Sequence, residues 1–108
     1  MSAPDKRRHP RVRMPLLVQY RTSALQAFKT DYASDISEGG VFLSTAELLP
    51  EGTVVFLQFV TRDGMHLISA QARVVRTAEG GQGVQFVRLD AADLSRVQAL
   101  VERGRPPG

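Results

Sequence analysis

The chain has 108 residues, 43% of them hydrophobic, which suits one domain with a modest core. It has no cysteine, so disulfides, thiolate metal sites and a cysteine nucleophile are excluded, and its formal net charge of +3 is mild. No apolar run approaches the roughly 20 residues that a membrane-crossing helix needs, and the opening MSAPDKRRHPR is charged where a secretion signal would turn apolar, so a cytoplasmic protein is expected.

The positive charge is local: Lys6, Arg7, Arg8, Arg11 and Arg13 crowd together with only Asp5 beside them. Pro4, Pro10 and Pro15 discourage a helix there, so residues 1–14 are predicted to form a flexible basic arm. Such a cluster attracts an anion, whether nucleic acid, a phosphorylated small molecule or an anionic membrane; on its own it also describes a solvated tail.

Ordered structure is expected from Pro15. Leu16, Val18 and Tyr20 alternate with Leu17, Gln19 and Arg21 as in a strand. A second strand is predicted over 28–37, with Tyr32, Ser34 and Ile36 on one face and Ala33, Asp35 and Ser37 on the other. Gly39-Gly40 precedes a short strand over 41–44, and Pro50 with Gly52 marks a turn. The almost wholly apolar run 54–60 reads as a central strand, and Asp63-Gly64 as a two-residue hairpin turn leading to a strand over 65–76. In that strand Ile68, Ala70, Ala72 and Val74 should point inward. Gly80-Gly81 reverses the chain into a last strand that carries Val84 and Phe86.

Asp90 is a good N-cap for a helix whose stripe of Leu94, Val97, Leu100 and Val101 would dock on the sheet, with Gly104, Pro106 and Pro107 ending it. Six short strands and one terminal helix suggest a closed antiparallel barrel over 15–104, because closure removes exposed sheet edges, followed by a tail over 105–108. Phe42, Phe56, Phe59 and Phe86 read as core.

Two patterns could carry chemistry. Arg7 and Arg11 form R-x-x-x-R, which an arginine-rich chain produces about once by accident. Asp35-Ile36-Ser37-Glu38-Gly39-Gly40 contains D-x-S-x-x-G, for which chance predicts about 0.03 occurrences in this composition. A carboxylate and a hydroxyl on one strand face can hydrogen-bond a polar ligand, and a following glycine allows close approach; the competing reading is an Asp and Ser that cap a glycine turn. Asp35 and Glu38 have no nucleophile, base or metal partner nearby in sequence, so neither acid/base catalysis nor any catalytic residue is indicated. His9 and His66 lack a metal-ligand spacing, so no metal is expected.

In this order and separation, R-x-x-x-R followed by D-x-S-x-x-G resembles the signature of the PilZ domain family, and Gly81-Gln82-Gly83-Val84-Gln85-Phe86 is similar to the family's G-x-G-V-x-F segment. The resemblance implies a mostly β fold, a six-stranded antiparallel barrel with a C-terminal helix, that binds the bacterial second messenger cyclic di-GMP without being an enzyme or needing a cofactor. It carries Arg7, Arg11, Asp35, Ser37 and Gly40 onto the ligand site, with Lys6, Arg8 and Gly39 as auxiliaries. Lys6 stands where the family chooses between one bound molecule and a stacked pair. The implied role is a receptor or adaptor that passes a signal to a protein partner in motility or exopolysaccharide control. The alternatives are a PilZ-like interaction module that ignores the nucleotide, and a small basic β-barrel that binds nucleic acid. The second is disfavoured because the sequence shows no second basic stripe and few aromatics for stacking.

Overall fold

In the computed structural model, which describes residues 11–23, 25–60 and 66–104, six strands precede one helix. They are β1 (Val12–Arg21), β2 (Lys29–Ser37), β3 (Gly40–Ser44), β4 (Val54–Val60), β5 (Leu67–Ala78), β6 (Gly81–Arg88) and α1 (Ala91–Gly104). All neighbours are antiparallel and the sheet closes in the order β1-β2-β3-β6-β5-β4. The hairpin expected at Asp63-Gly64 lies outside the described residues.

Alternation fills the interior. Val12, Met14, Leu16, Val18 and Tyr20 of β1 meet Val55, Leu57 and Phe59 of β4, and Ile68, Ala70, Ala72 and Val74 of β5 point inward as their spacing requires. Each buried Val, Leu, Ile or Met of this set stabilises the fold by about 2 kcal/mol when it leaves water. Phe59 is core, and Phe86 packs against it. Phe42 and Phe56 are not core: Val41 and Leu43, and Val55 and Leu57, occupy the inward positions, so parity turns both phenyls outward.

β1 starts at Val12, inside the segment read as an arm, and Val12 and Met14 are buried. The expected arm reached residue 14 because its prolines discourage a helix, but a strand runs through Pro15 although that residue has no N–H for a sheet ladder. The chain accommodates it at a bulge, where Met14 and Pro15 lie opposite Ser34 alone, between the pairs Arg13↔Asp35 and Leu16↔Ala33. A second irregularity falls at the same height between β2 and β3, where Ala33 pairs with Leu43 and Asp35 with Phe42. The face expected to hold Ala33, Asp35 and Ser37 together is therefore divided. Ala33 is buried in the core, as is Ile36, and Asp35 is turned to the outside.

Helix α1 is capped as predicted: the Asp93 N–H donates to Asp90 Oδ1 at 2.8 Å. Val97, Leu100 and Val101 are buried against the barrel. Asp93 is buried too. Its carboxylate accepts the Ser69 N–H of β5 at 3.3 Å and Arg96 Nη1 at 2.9 Å, which ties the helix start to the sheet. At the other end Gly104 lies so close to β1 that a Cβ there would stand 2.8 Å from Met14 Cε.

Two glycines of the motifs are dictated by strand contacts. A Cβ on Gly40 would stand 2.0 Å from the Val84 carbonyl oxygen, and one on Gly81 1.9 Å from that of Leu43. Gly40→Ala should therefore lower the unfolding free energy by about 2 kcal/mol or more, read from chemical denaturation, because backbone and not a flexible side chain must give way. Tyr20 offers a pH-dependent check. Its hydroxyl donates to Asp31 Oδ2 at 2.9 Å. Burial first, then Asp31, push its ionisation above the ordinary 10.0, with Thr45 and Lys29 pulling the other way. Above about pH 10 the unfolded chain releases this proton while the folded chain keeps it, so stability should fall as pH rises there. Tyr20→Phe should cost about 1 kcal/mol at neutral pH and flatten that alkaline decline.

Candidate functional site

The two sequence motifs meet on the outer wall of the barrel. Arg11, just before β1, extends its guanidinium to Asp35 on β2, with Nη1 donating to Oδ1 at 2.7 Å across 24 residues of chain. Both side chains keep roughly a fifth of their surface exposed, 21% and 23%, so the pair is reachable from solvent. Arg11 Nε is buried and has no hydrogen-bond partner among the described residues. Among the described residues the other oxygen of Asp35 receives only a long contact from Ser34 Oγ, at 3.5 Å. A fixed cation with a spare donor thus lies against a carboxylate with accepting capacity left, an arrangement fitted to a ligand that carries both negative charge and N–H donors.

Ser37 is buried and serves the turn between β2 and β3. Its Oγ accepts the Gly39 N–H at 3.1 Å and makes a long donor contact to the Gly40 carbonyl at 3.5 Å. Gly39 O accepts the Phe86 N–H of β6 at 2.8 Å. Glu38 Oε1 accepts Gln98 Nε2 of α1 at 2.7 Å. The D-x-S-x-x-G segment is consequently locked on three sides: by its own serine, by β6 and by the helix. Asp35 and Ser37 do lie on one strand face, since the register from Asp35↔Phe42 to Ser37↔Gly40 is unbroken. Lys6, Arg7 and Arg8 lie outside the described residues.

Folding also gathers residues that the sequence reading left scattered. Arg13, exposed on β1, pairs with Asp35, which pairs with Phe42, which pairs with Gly83, which pairs with Arg76. One band around the barrel therefore reads cation, anion, phenyl, glycine, cation. Just beside it Ser37, Gly40, Gln85 and Arg73 form the next band. Sequence reasoning missed Phe42 because an aromatic flanked by Val41 and Leu43 looks like core; only the strict alternation of those neighbours pointed outward. Among the described residues there is no group of His, Asp and Glu that could hold a metal ion, and no helix long and apolar enough to cross a membrane.

Gln82, the middle residue of Gly81-Gln82-Gly83, points inward and is almost fully buried. Its amide oxygen accepts the Leu49 N–H at 2.9 Å and its nitrogen donates to the Leu49 carbonyl, pinning the loop between β3 and β4. That segment is thus bound into the fold at Gly81 and Gln82, while Gly83 faces outward.

Comparison with known proteins agrees with this architecture. The PilZ domain family model matches residues 5–103. No curated protein sequence matches the chain. Among solved structures, the Bacillus subtilis inhibitor of motility MotI/DgrA is 19% identical with a TM-score of 0.77, over 93% of this chain and 51% of that one, so the chain spans about half the length of that protein. The PilZ domain of YcgR from Escherichia coli, solved with c-di-GMP, is 16% identical with a TM-score of 0.72, over 93% and 92% of the two chains. The PilZ domain of CeSA from a cellulose synthesizing bacterium is 19% identical with a TM-score of 0.68, over 87% and 96%. At these identities the structures share the fold. A family match that runs from the basic segment to the terminal helix, on a closed six-stranded barrel, makes this chain a member of the PilZ domain family.

Proposed function

We propose that the chain is a cyclic di-GMP receptor that works as an adaptor in the bacterial cytoplasm and has no chemistry of its own. The observation that carries this reading is the 2.7 Å contact between Arg11 and Asp35, which joins the arginine motif to the aspartate motif on one accessible patch. Cyclic di-GMP carries two phosphate charges and two guanines. A guanidinium can bridge guanine O6 and N7, stack on a base or pair with phosphate, and a carboxylate accepts the N–H donors of the guanine Watson–Crick edge. Arg11 and Asp35 supply one group of each kind.

In this reading Arg7 arrives from the basic segment, with Lys6 and Arg8 raising the local positive potential, and that segment closes over ligand held against Asp35 and the Ser37–Gly40 turn. Ligand competes for Arg11, so its arrival is coupled to rearrangement of the N-terminal residues and changes the surface shown to a protein partner. Likeness to an inhibitor of motility and to a domain from a cellulose synthesizing bacterium supports motility or exopolysaccharide control as the setting.

Titration calorimetry with cyclic di-GMP is the test. Wild type should bind, while Arg7→Ala, Arg11→Ala and Asp35→Ala should each weaken binding about tenfold or more, with far-ultraviolet circular dichroism unchanged because a part-exposed pair contributes little to folding. Absence of binding by wild type would overturn the proposal. Salt-sensitive retention of an oligonucleotide by that same protein would then favour nucleic acid, and a lack of both would favour a protein-only interaction module.

A further inference from the structure

Arg76 does not stand upright on β5. Its side chain lies across β6 at Gly83, so closely that a Cβ on that glycine would be 3.1 Å from both Arg76 Cγ and Nε. Its guanidinium carbon reaches the Phe42 ring on β3, 5.5 Å from the centroid, within the range of a cation–π contact. The residue reaches this position through a further bulge: β5 and β6 shift register between Val74↔Val84 and Arg76↔Gly83, and the extra residue, Val75, brings Arg76 opposite the glycine.

The displacement matters because the barrel curves. Arg76 begins three strands from Asp35, but its charged end comes to rest over Phe42, the direct neighbour of Asp35 and roughly one strand spacing, about 5 Å, from it. Among the described residues no carboxylate pairs with Arg76. Its planar, weakly hydrated guanidinium lies within cation–π range of the phenyl, and the residue is exposed. That leaves a planar cation one strand away from the carboxylate, positioned by the Phe42 ring and by the gap at Gly83.

We propose that Arg76 is a further ligand-contacting residue, whose guanidinium, seated on Phe42 through the gap at Gly83, stacks on one purine base of a cyclic purine dinucleotide lying beside Asp35. The inference rests on the cyclic di-GMP reading of the same site. It gives Gly83 a purpose that the packing of Gly81 and Gln82 does not supply, and it assigns Phe42 the support of the stacking group.

The experiment is calorimetric titration with cyclic di-GMP of wild type, Arg76→Ala, Arg76→Lys and Gly83→Val, each checked by circular dichroism. Arg76→Ala should weaken binding by about tenfold to a hundredfold. Arg76→Lys should be as weak, because an ammonium keeps the charge and loses the plane. Gly83→Val should approach the same loss with Arg76 intact, since the added side chain lifts it off Phe42. Should Gly83→Val fail to fold, the two Arg76 variants decide. Wild-type affinity in Arg76→Ala overturns this inference and leaves the receptor reading standing, whereas no binding by wild type overturns that reading itself. Full affinity in Arg76→Lys overturns stacking, because charge alone would then account for the contact.

Discussion

In a closed antiparallel barrel each residue is committed to the interior or the exterior by parity, and only a break in register can reverse that commitment. Two such breaks decide the character of the candidate site. The irregularity around Met14, Pro15 and Ser34 leaves Ala33 in the core yet turns Asp35 outward, and the extra residue at Val75 sets Arg76 opposite Gly83. With strict alternation Asp35 would have followed Ala33 inward, where a carboxylate without a partner is costly to bury. Bulges next to binding sites re-aim side chains in just this way.

Once Asp35 is outside, the electrostatics follow. Arg11 neutralises it at 2.7 Å, so neither charge stands isolated when the ligand is absent. A partly exposed pair of this kind adds little net stability, because solvent screens it and two side chains must be held still. In the proposed receptor role its value is placement: a guanidinium already held beside Asp35 would lose less entropy in engaging an anion than a freely moving one. The buried Arg11 Nε fits the same proposal, since it is a donor that no group among the described residues uses.

The motif residues also do structural work. Ser37 closes the β2–β3 turn, Gly40 permits the close passage of Val84, Glu38 meets the terminal helix, and Gln82 anchors the loop at Leu49. The capping reading of Ser37 and the binding reading of the same segment are therefore compatible. A turn held by β6 and α1 presents Asp35 on rigid support, and rigid support is what a recognition site requires.

Much was legible from residues alone. Strand 54–60, the inward set of Ile68, Ala70, Ala72 and Val74, the Asp90 cap and the barrel class all follow from local periodicity and capping chemistry, which the tertiary fold leaves intact. The spacing of Arg7, Arg11, Asp35, Ser37 and Gly40 pointed to a family and to a ligand class, and placed Asp35 and Ser37 on one face. Tertiary structure decided what depends on long-range register. It carried β1 through Pro15, turned Phe42 and Phe56 outward, gave Gly40 a packing reason through Val84, and brought Arg76 from β5 to the neighbourhood of Asp35. No short window of sequence contains those facts, because a bulge is defined by two strands, and two strands meet only when the barrel closes.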